Sequence, residues 1–125
     1  MIADSSFLVA FFHPDDLSHS KAVDQFSSMS GTTVIIPDRI LEETFTVLTY
    51  NKGLEFALEV LKRIHFNSEL AIYPVTQHET NEIFILAETI KKKISFADYC
   101  VVYLCNKLDM KPLCFDKQIL SLLKR

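Results

Sequence analysis

Residues 1–12, MIADSSFLVAFF, are almost wholly apolar, yet they contain a carboxylate at Asp4. Residues 1–4 are typical of a short buried strand, and the hydroxyls of Ser5 and Ser6 can cap a helix that we expect to begin near Phe7. Burying an unpaired carboxylate is so costly that such a group normally pairs, takes up a proton or binds a metal ion. The stretch therefore predicts a strand followed by a helix, with Asp4 either capping the turn between them or belonging to a site.

The same order of strand and helix repeats along the chain. A β-branched run at 32–36, an apolar run at 70–75 and the segment 111–115 each predict a further strand. Alternating strands and helices predict an α/β fold, in which a parallel sheet is covered on both faces and joined by right-handed crossovers. The predicted helices run from about 7 to 12, 17 to 26, 38 to 48, 54 to 64, 76 to 90, 96 to 108 and 116 to 123.

The size and composition of the chain favour a single domain spanning residues 1–125. Of the 125 residues, 49% are hydrophobic and 23% are charged, as in ordinary globular proteins. No apolar run approaches the roughly 18 residues that cross a bilayer, and the N-terminus lacks the basic region of a secretory signal. The three cysteines match no zinc spacing and resemble small buried hydrophobic residues of a reducing compartment. We therefore expect a cytoplasmic protein without membrane contact.

Four acidic residues are expected near one edge of the predicted sheet. Asp4 and Asp116 each end a strand, and open α/β proteins bind ligands at the carboxyl ends of their strands. Asp98 falls in the first turn of a helix, and Glu43 lies to one side of a helix with an apolar face. Each alone has an ordinary explanation as a helix cap, a first-turn acid or a solvated charge. Brought together, they would repel one another unless a hard cation such as Mg²⁺ or Mn²⁺ neutralised them, which predicts a metal site suited to phosphoryl transfer.

Three segments of the chain, in this order, resemble the motifs of PIN domains, and most closely those of the small VapC-type toxins of toxin–antitoxin systems. They are MIADSSFLVAFF at 1–12, RILEETFTVL at 39–48 and ISFADYCVVYLCNKLDMKPLCFDKQIL at 94–120. The resemblance runs along the whole chain and is weakest between about 53 and 88. It implies a three-layer α/β/α sandwich with a small central parallel sheet. It also implies a metal-dependent ribonuclease that leaves a 3′-hydroxyl and a 5′-phosphate, forms a homodimer and binds an antitoxin protein.

The resemblance further implies roles for individual residues. Glu43 rather than Glu42 takes the second acidic position, because the family pattern places that acid four residues before a Val-Leu pair, here Val47-Leu48. Many relatives carry Thr two residues before the last acid, whereas this chain has Cys114, which removes a hydroxyl from the neighbourhood of Asp116. The implied catalytic and metal-binding acids are Asp4, Glu43, Asp98 and Asp116, with Ser6 as a supporting hydroxyl.

Several basic residues close in sequence to these acids are candidates for RNA contact. The run at 91–93 is explained better as a solubilising helix C-terminus that complements the helix dipole, with a phosphate-contacting patch as the alternative. The net charge of −3 does not favour a nucleic-acid binder, so any RNA-binding surface must be local. The candidates are Arg39, Lys91, Lys92, Lys93 and Lys117.

Other classes of protein fit parts of this pattern. A non-catalytic PIN-fold module that binds RNA or acts as a scaffold would keep the fold without binding metal, and the presence of all four acids argues against it. An aspartate-nucleophile enzyme expects a second Asp where this chain has Ser6, and a phospho-receiver expects paired acids and a late-strand lysine that are missing. The apolar helices 45–50 and 54–61 could contact a partner or form core, and the sequence leaves both open.

Overall fold

A four-stranded parallel sheet lies at the centre of the computed structural model, which describes residues 1–123. The strand order is β3-β2-β1-β4, and helices connect and cover the strands. The predicted α/β sandwich with a small parallel sheet is thereby confirmed. The strands are β1 (Ile2–Ala3), β2 (Val34–Pro37), β3 (Leu70–Tyr73) and β4 (Pro112–Leu113). The helices are α1 (Ser5–Phe12), α2 (His19–Ser28), α3 (Asp38–Lys52), α4 (Leu54–Phe66), α5 (Gln77–Ile90), α6 (Phe96–Leu108) and α7 (Lys117–Leu123).

The core forms around the central strand β1 and the helix α6. Ile2 and Ala3 are fully buried, as expected for a strand with neighbours on both sides and helices above and below. Helix α6 buries six of its thirteen residues and packs on β1, α3, α5 and α7. All three cysteines are free and buried, as predicted, and burial raises the pKa of Cys100 and Cys105 to about 12. At these positions the cysteines act as small hydrophobic side chains.

The start of the first helix differs from the prediction. Helix α1 begins at Ser5 rather than near Phe7, and the Asp4 carboxylate, not a serine hydroxyl, caps it by accepting the Ser6 N–H. Aspartate is as good a cap as serine, and it lies one residue closer to the strand. Strand β2 likewise begins at Val34 rather than at Thr32.

Helices α3 and α4 form a hairpin, and its apolar residues lie both in the core and at the surface, the two alternatives that the sequence left open. Leu48 and Ala57 are fully buried, whereas Tyr50, Leu54 and Leu58 are 85%, 53% and 44% exposed. The hairpin therefore contributes one face to the core and presents a second apolar face to solvent. Within residues 1–123, no helix combines the length and the apolarity that crossing a membrane requires.

The pairing of β1 with β4 determines where the site lies. Ala3 is in register with Leu113, and the Asp4 N–H donates to the Leu113 carbonyl at 3.0 Å. Asp4 and Asp116 follow these two neighbouring strands, so their backbones leave the sheet at the same edge.

Candidate metal centre

Three carboxylates converge at the carboxyl edge of β1 and β4. One oxygen from each of Asp4, Asp98 and Asp116 can be chosen so that all three atoms lie within 4.8 Å of one another. Asp4 is 1% exposed, and the other two are partly buried. Three carboxylates this close repel one another strongly unless they are protonated or share a cation.

Each of the three acids is positioned by the start of a helix. Asp4 Oδ2 accepts the Ser6 N–H of α1, and Asp98 Oδ2 accepts the Ser95 N–H in the capping box of α6. Asp116 Oδ1 accepts the Gln118 N–H at 2.8 Å as α7 begins. The positive ends of three helix dipoles therefore stabilise the three negative charges.

Capping occupies only one oxygen of each carboxylate. Asp4 Oδ1 is fully buried and has no hydrogen-bond partner among the described residues. A buried carboxylate oxygen without a hydrogen-bond partner destabilises the folded protein, so its presence indicates that a ligand binds there. With only carboxylate oxygens as donors, the cluster fits a hard divalent cation of the Mg²⁺ or Mn²⁺ type better than zinc or copper.

Burial also changes the protonation of the cluster. Desolvation raises the pKa of Asp4 to about 6, against the lowering effect of the hydrogen bonds that it accepts from Ser6, and the nearby charge of Asp98 adds to the rise. Desolvation likewise raises the pKa of Asp98, and the charge of Asp116 contributes. Without a cation, Asp4 and Asp98 therefore hold protons more tightly than ordinary aspartates do.

The two serines after Asp4 connect the acids to one another. The Ser6 hydroxyl donates to Asp4 Oδ2 at 2.9 Å and accepts the Phe115 N–H at 2.9 Å, so it links the start of α1 to the residue before Asp116. The Ser5 hydroxyl donates to Glu43 Oε1. Sequence reasoning identified Ser6 as a supporting residue but missed Ser5, although its position directly after Asp4 was a usable signal.

These groups line an open cleft of about 510 Å³, which we call the acidic cleft. Glu43 lies in its wall, outside the set of three close carboxylates, while its neighbour Glu42 lines a separate groove between α3 and α4. The loop between α1 and α2 adds a fifth acid, Asp16, together with Ser18, whose N–H donates to the Asp16 carboxylate at 2.8 Å. Asp16 was not among the acids that the sequence predicted for the site. The lining is Asp4, Ser5, Ser6, Val9, Asp16, Ser18, Glu43, Val47, Ser95, Asp98, Phe115 and Asp116.

The basic candidates occupy different surroundings. Arg39 is not among the lining residues, and its guanidinium donates to the Thr80 hydroxyl of α5 at 3.3 Å. The lysines at 91–93 are exposed, two residues or more before the cleft residue Ser95. Lys117 is exposed and directly follows Asp116. Cys114, where the resemblance leads us to expect Thr, contacts the Asp116 carbonyl through its sulfur at 3.7 Å rather than the carboxylate.

A second buried acid lies outside the acidic cleft. Glu79, 1% exposed, accepts hydrogen bonds from the Tyr73 hydroxyl and from Lys107 Nζ, the latter at 2.8 Å. It also closes the capping box of α5 with Thr76. Its bonds join β3, α5 and α6, and it completes the capping box of α5, so Glu79 is a structural acid.

Comparisons with known proteins identify the family of the chain and a similar fold. The model of the PIN domain family matches residues 1–123. The fold is similar to that of VapC20 from Mycobacterium tuberculosis, described as a toxin that cleaves the sarcin–ricin loop, with a TM-score of 0.85 and 20% identity over 96% of this chain and 92% of that one. No curated protein matches the sequence. Because the family model spans nearly the whole chain, the chain belongs to the PIN domain family.

Proposed function

We propose that this protein is a Mg²⁺- or Mn²⁺-dependent endoribonuclease that acts as the toxin of a toxin–antitoxin pair. The observation that carries the proposal is the fully buried Asp4 Oδ1, which lacks a hydrogen-bond partner and belongs to a cluster of three close carboxylates. A structural acid such as Glu79 has partners for its oxygens, whereas this oxygen is left for a ligand. Membership of the PIN family and the similarity to the VapC20 fold support the choice of RNA as substrate.

In this proposal Asp4, Asp98 and Asp116 bind the cation, each through an oxygen that does not cap a helix. Glu43, held by the Ser5 hydroxyl, lies in the same cleft and either completes the ligand set or accepts a proton from water. When bound, the cation would stabilise charge on the phosphate oxygens and lower the pKa of a water molecule. The helix termini keep the carboxylates fixed, so little reorganisation is needed as charge develops on the phosphate. The products would be a 3′-hydroxyl and a 5′-phosphate.

The proposed activity implies the partners of the protein. An antitoxin would need to block the acidic cleft. The solvent-exposed apolar face of the α3–α4 hairpin is the candidate surface for contacts with the antitoxin and between the two copies of a homodimer. The cytoplasm, where RNA and reduced thiols occur together, is the compartment that this activity implies.

The test combines calorimetric titration of Mg²⁺ and Mn²⁺ with cleavage of a mixed RNA pool. The variants are Asp4→Asn and, as a matched control, Asp109→Asn. Asp109 is exposed at the far end of α6 and has a φ of 52°, which Asn tolerates. We expect metal binding and metal-dependent cleavage in the wild type and the control, with both lost in Asp4→Asn.

Either of two outcomes would refute the proposal. One is a folded wild-type protein, free of any inhibitor, that neither binds the cation nor cuts RNA; this would favour a non-catalytic RNA-binding or scaffolding module. The other is cleavage that persists in Asp4→Asn, because the reaction would then not depend on the carboxylate cluster.

A further inference from the structure

The acidic cleft is strongly negative for a site that must bind RNA. Five carboxylates line it and, among the described residues, no lysine or arginine side chain does. A single divalent cation offsets less than half of that charge, while each nucleotide of RNA brings a further negative phosphate. Binding therefore needs positive charge held close to the mouth of the cleft.

One lysine is held beside the cleft. The Nζ of Lys21, on α2, lies 5.5 Å from the centre of the Phe115 ring, within range of a cation–π interaction. Phe115 lines the cleft and precedes Asp116, and its N–H is bonded to the Ser6 hydroxyl that also contacts Asp4. The Lys21 ammonium is thus connected to the proposed metal ligand Asp4 by a chain of contacts, first with the Phe115 ring and then through the Ser6 hydroxyl.

The charge of Lys21 is available to a ligand. Its side chain is exposed, and among the described residues it forms no ion pair with a carboxylate. Other lysines with aromatic contacts differ, because Lys52 is paired with Asp15 and Lys107 with Glu79. An aromatic face leaves the N–H donors on the other side of the ammonium free to bind an anion.

We infer that Lys21, resting on Phe115, binds a backbone phosphate of the RNA at the mouth of the acidic cleft. The inference rests on the proposed function and adds a substrate-binding residue on α2 to the basic candidates drawn from the sequence. As a phosphate contact, it supplies affinity and position but no base specificity.

The test compares Lys21→Gln with Lys21→Arg and with Lys111→Gln. Lys111 is exposed and precedes β4, at the opposite end of the strand from Phe115 and Asp116, so it provides the same charge change away from the cleft. Cleavage of two RNAs of unrelated sequence is followed in Mg²⁺ or Mn²⁺ at several salt concentrations. We expect Lys21→Gln to raise KM about fivefold at low salt with little change in kcat. The salt dependence of log KM should weaken by about 0.7, with the same factor on both RNAs. Lys21→Arg and Lys111→Gln should behave as wild type.

The outcomes separate this inference from the function on which it rests. If the wild type cuts RNA but Lys21→Gln matches Lys111→Gln, or loses kcat with KM unchanged, the phosphate contact is refuted and the nuclease proposal stands. If the folded wild type neither cuts nor binds RNA, both are refuted.

Discussion

Replacing Asp4 with Asn should stabilise the metal-free protein at neutral pH. The asparagine side chain has the same shape, and its oxygen can keep the hydrogen bonds that Oδ2 now accepts from the Ser6 N–H and hydroxyl. Its amide nitrogen would then replace the buried, unpartnered Oδ1 and could donate to the carboxylates of Asp98 and Asp116. The change removes a buried charge while keeping the cap of α1.

The size of the effect follows from the pKa of Asp4. Burial raises that pKa from 3.8 to about 6, which corresponds to about 3 kcal/mol of unfavourable free energy for the ionised form in the folded protein. Because the folded-state pKa is the higher one, the folded protein binds the extra proton between about pH 4 and 6, and its stability falls as pH rises through that window. The cost is absent below about pH 4 and complete above pH 6. After allowance for relaxation around the new amide, we expect Asp4→Asn to be about 1–3 kcal/mol more stable than wild type at neutral pH.

Urea denaturation with a chelator present, at a series of pH values, measures this difference. The gain should disappear toward pH 4, and the exposed-site control Asp109→Asn should show no such pH dependence. Added Mg²⁺ should stabilise the wild type and leave Asp4→Asn unchanged, because only the ionised cluster binds the cation. An Asp4→Asn protein that is less stable than wild type at neutral pH in chelator would refute the reasoning, since the ionised carboxylate would then be satisfied by the protein itself.

Two further substitutions test the contacts around and beyond the cluster. Ser6→Ala removes the acceptor of the Phe115 N–H, so urea denaturation should show that the free energy of unfolding falls by about 1–3 kcal/mol. Calorimetry should show that the affinity for Mg²⁺ falls about tenfold. An unchanged affinity would contradict the supporting role of Ser6. Glu79→Ala removes the ion pair with Lys107 and a helix cap, which should cost about 1–3 kcal/mol with RNA cleavage by the folded protein intact. As a control, Glu82→Ala removes only an exposed contact with His78 on the same helix and should change stability by less than about 0.5 kcal/mol. An equal effect of Glu79→Ala and Glu82→Ala would contradict the burial argument.

The fold was largely predictable because its signals are local. Alternating β-branched runs and amphipathic segments predict parallel strands and crossover helices, because each pattern depends on residues that are close in sequence. The boundary of α1 was not predictable, because Asp4, Ser5 and Ser6 are all good caps and the sequence does not say which one the strand will place at the turn. Tertiary packing determines that Asp4 is the residue that caps α1.

For the site, the sequence predicted which backbone positions lie at the same edge of the sheet, but not which side chains contact one another. Asp4 and Asp116 each follow a strand, and a parallel sheet brings such positions to one edge. Contacts between side chains distant in sequence leave no pattern, so the Ser5–Glu43 hydrogen bond and the Lys21–Phe115 contact were missed. Arg39 illustrates the same limit, since it is close in sequence to Glu43 but its guanidinium donates to Thr80, a contact that the sequence does not indicate.

The alternatives of helix cap and metal ligand, which the sequence presents for these acids, do not exclude each other. A carboxylate has two oxygens, and in Asp4, Asp98 and Asp116 one of them accepts a backbone N–H at or beside the start of a helix. That bond fixes the orientation of the carboxylate, so the second oxygen is held in place at no further cost in side-chain entropy. For Asp4, the second oxygen is buried and has no hydrogen-bond partner among the described residues, so it is available to a proton or a cation. The capping role is therefore part of the reason that three carboxylates can be held within 4.8 Å of one another, ready for the proposed cation.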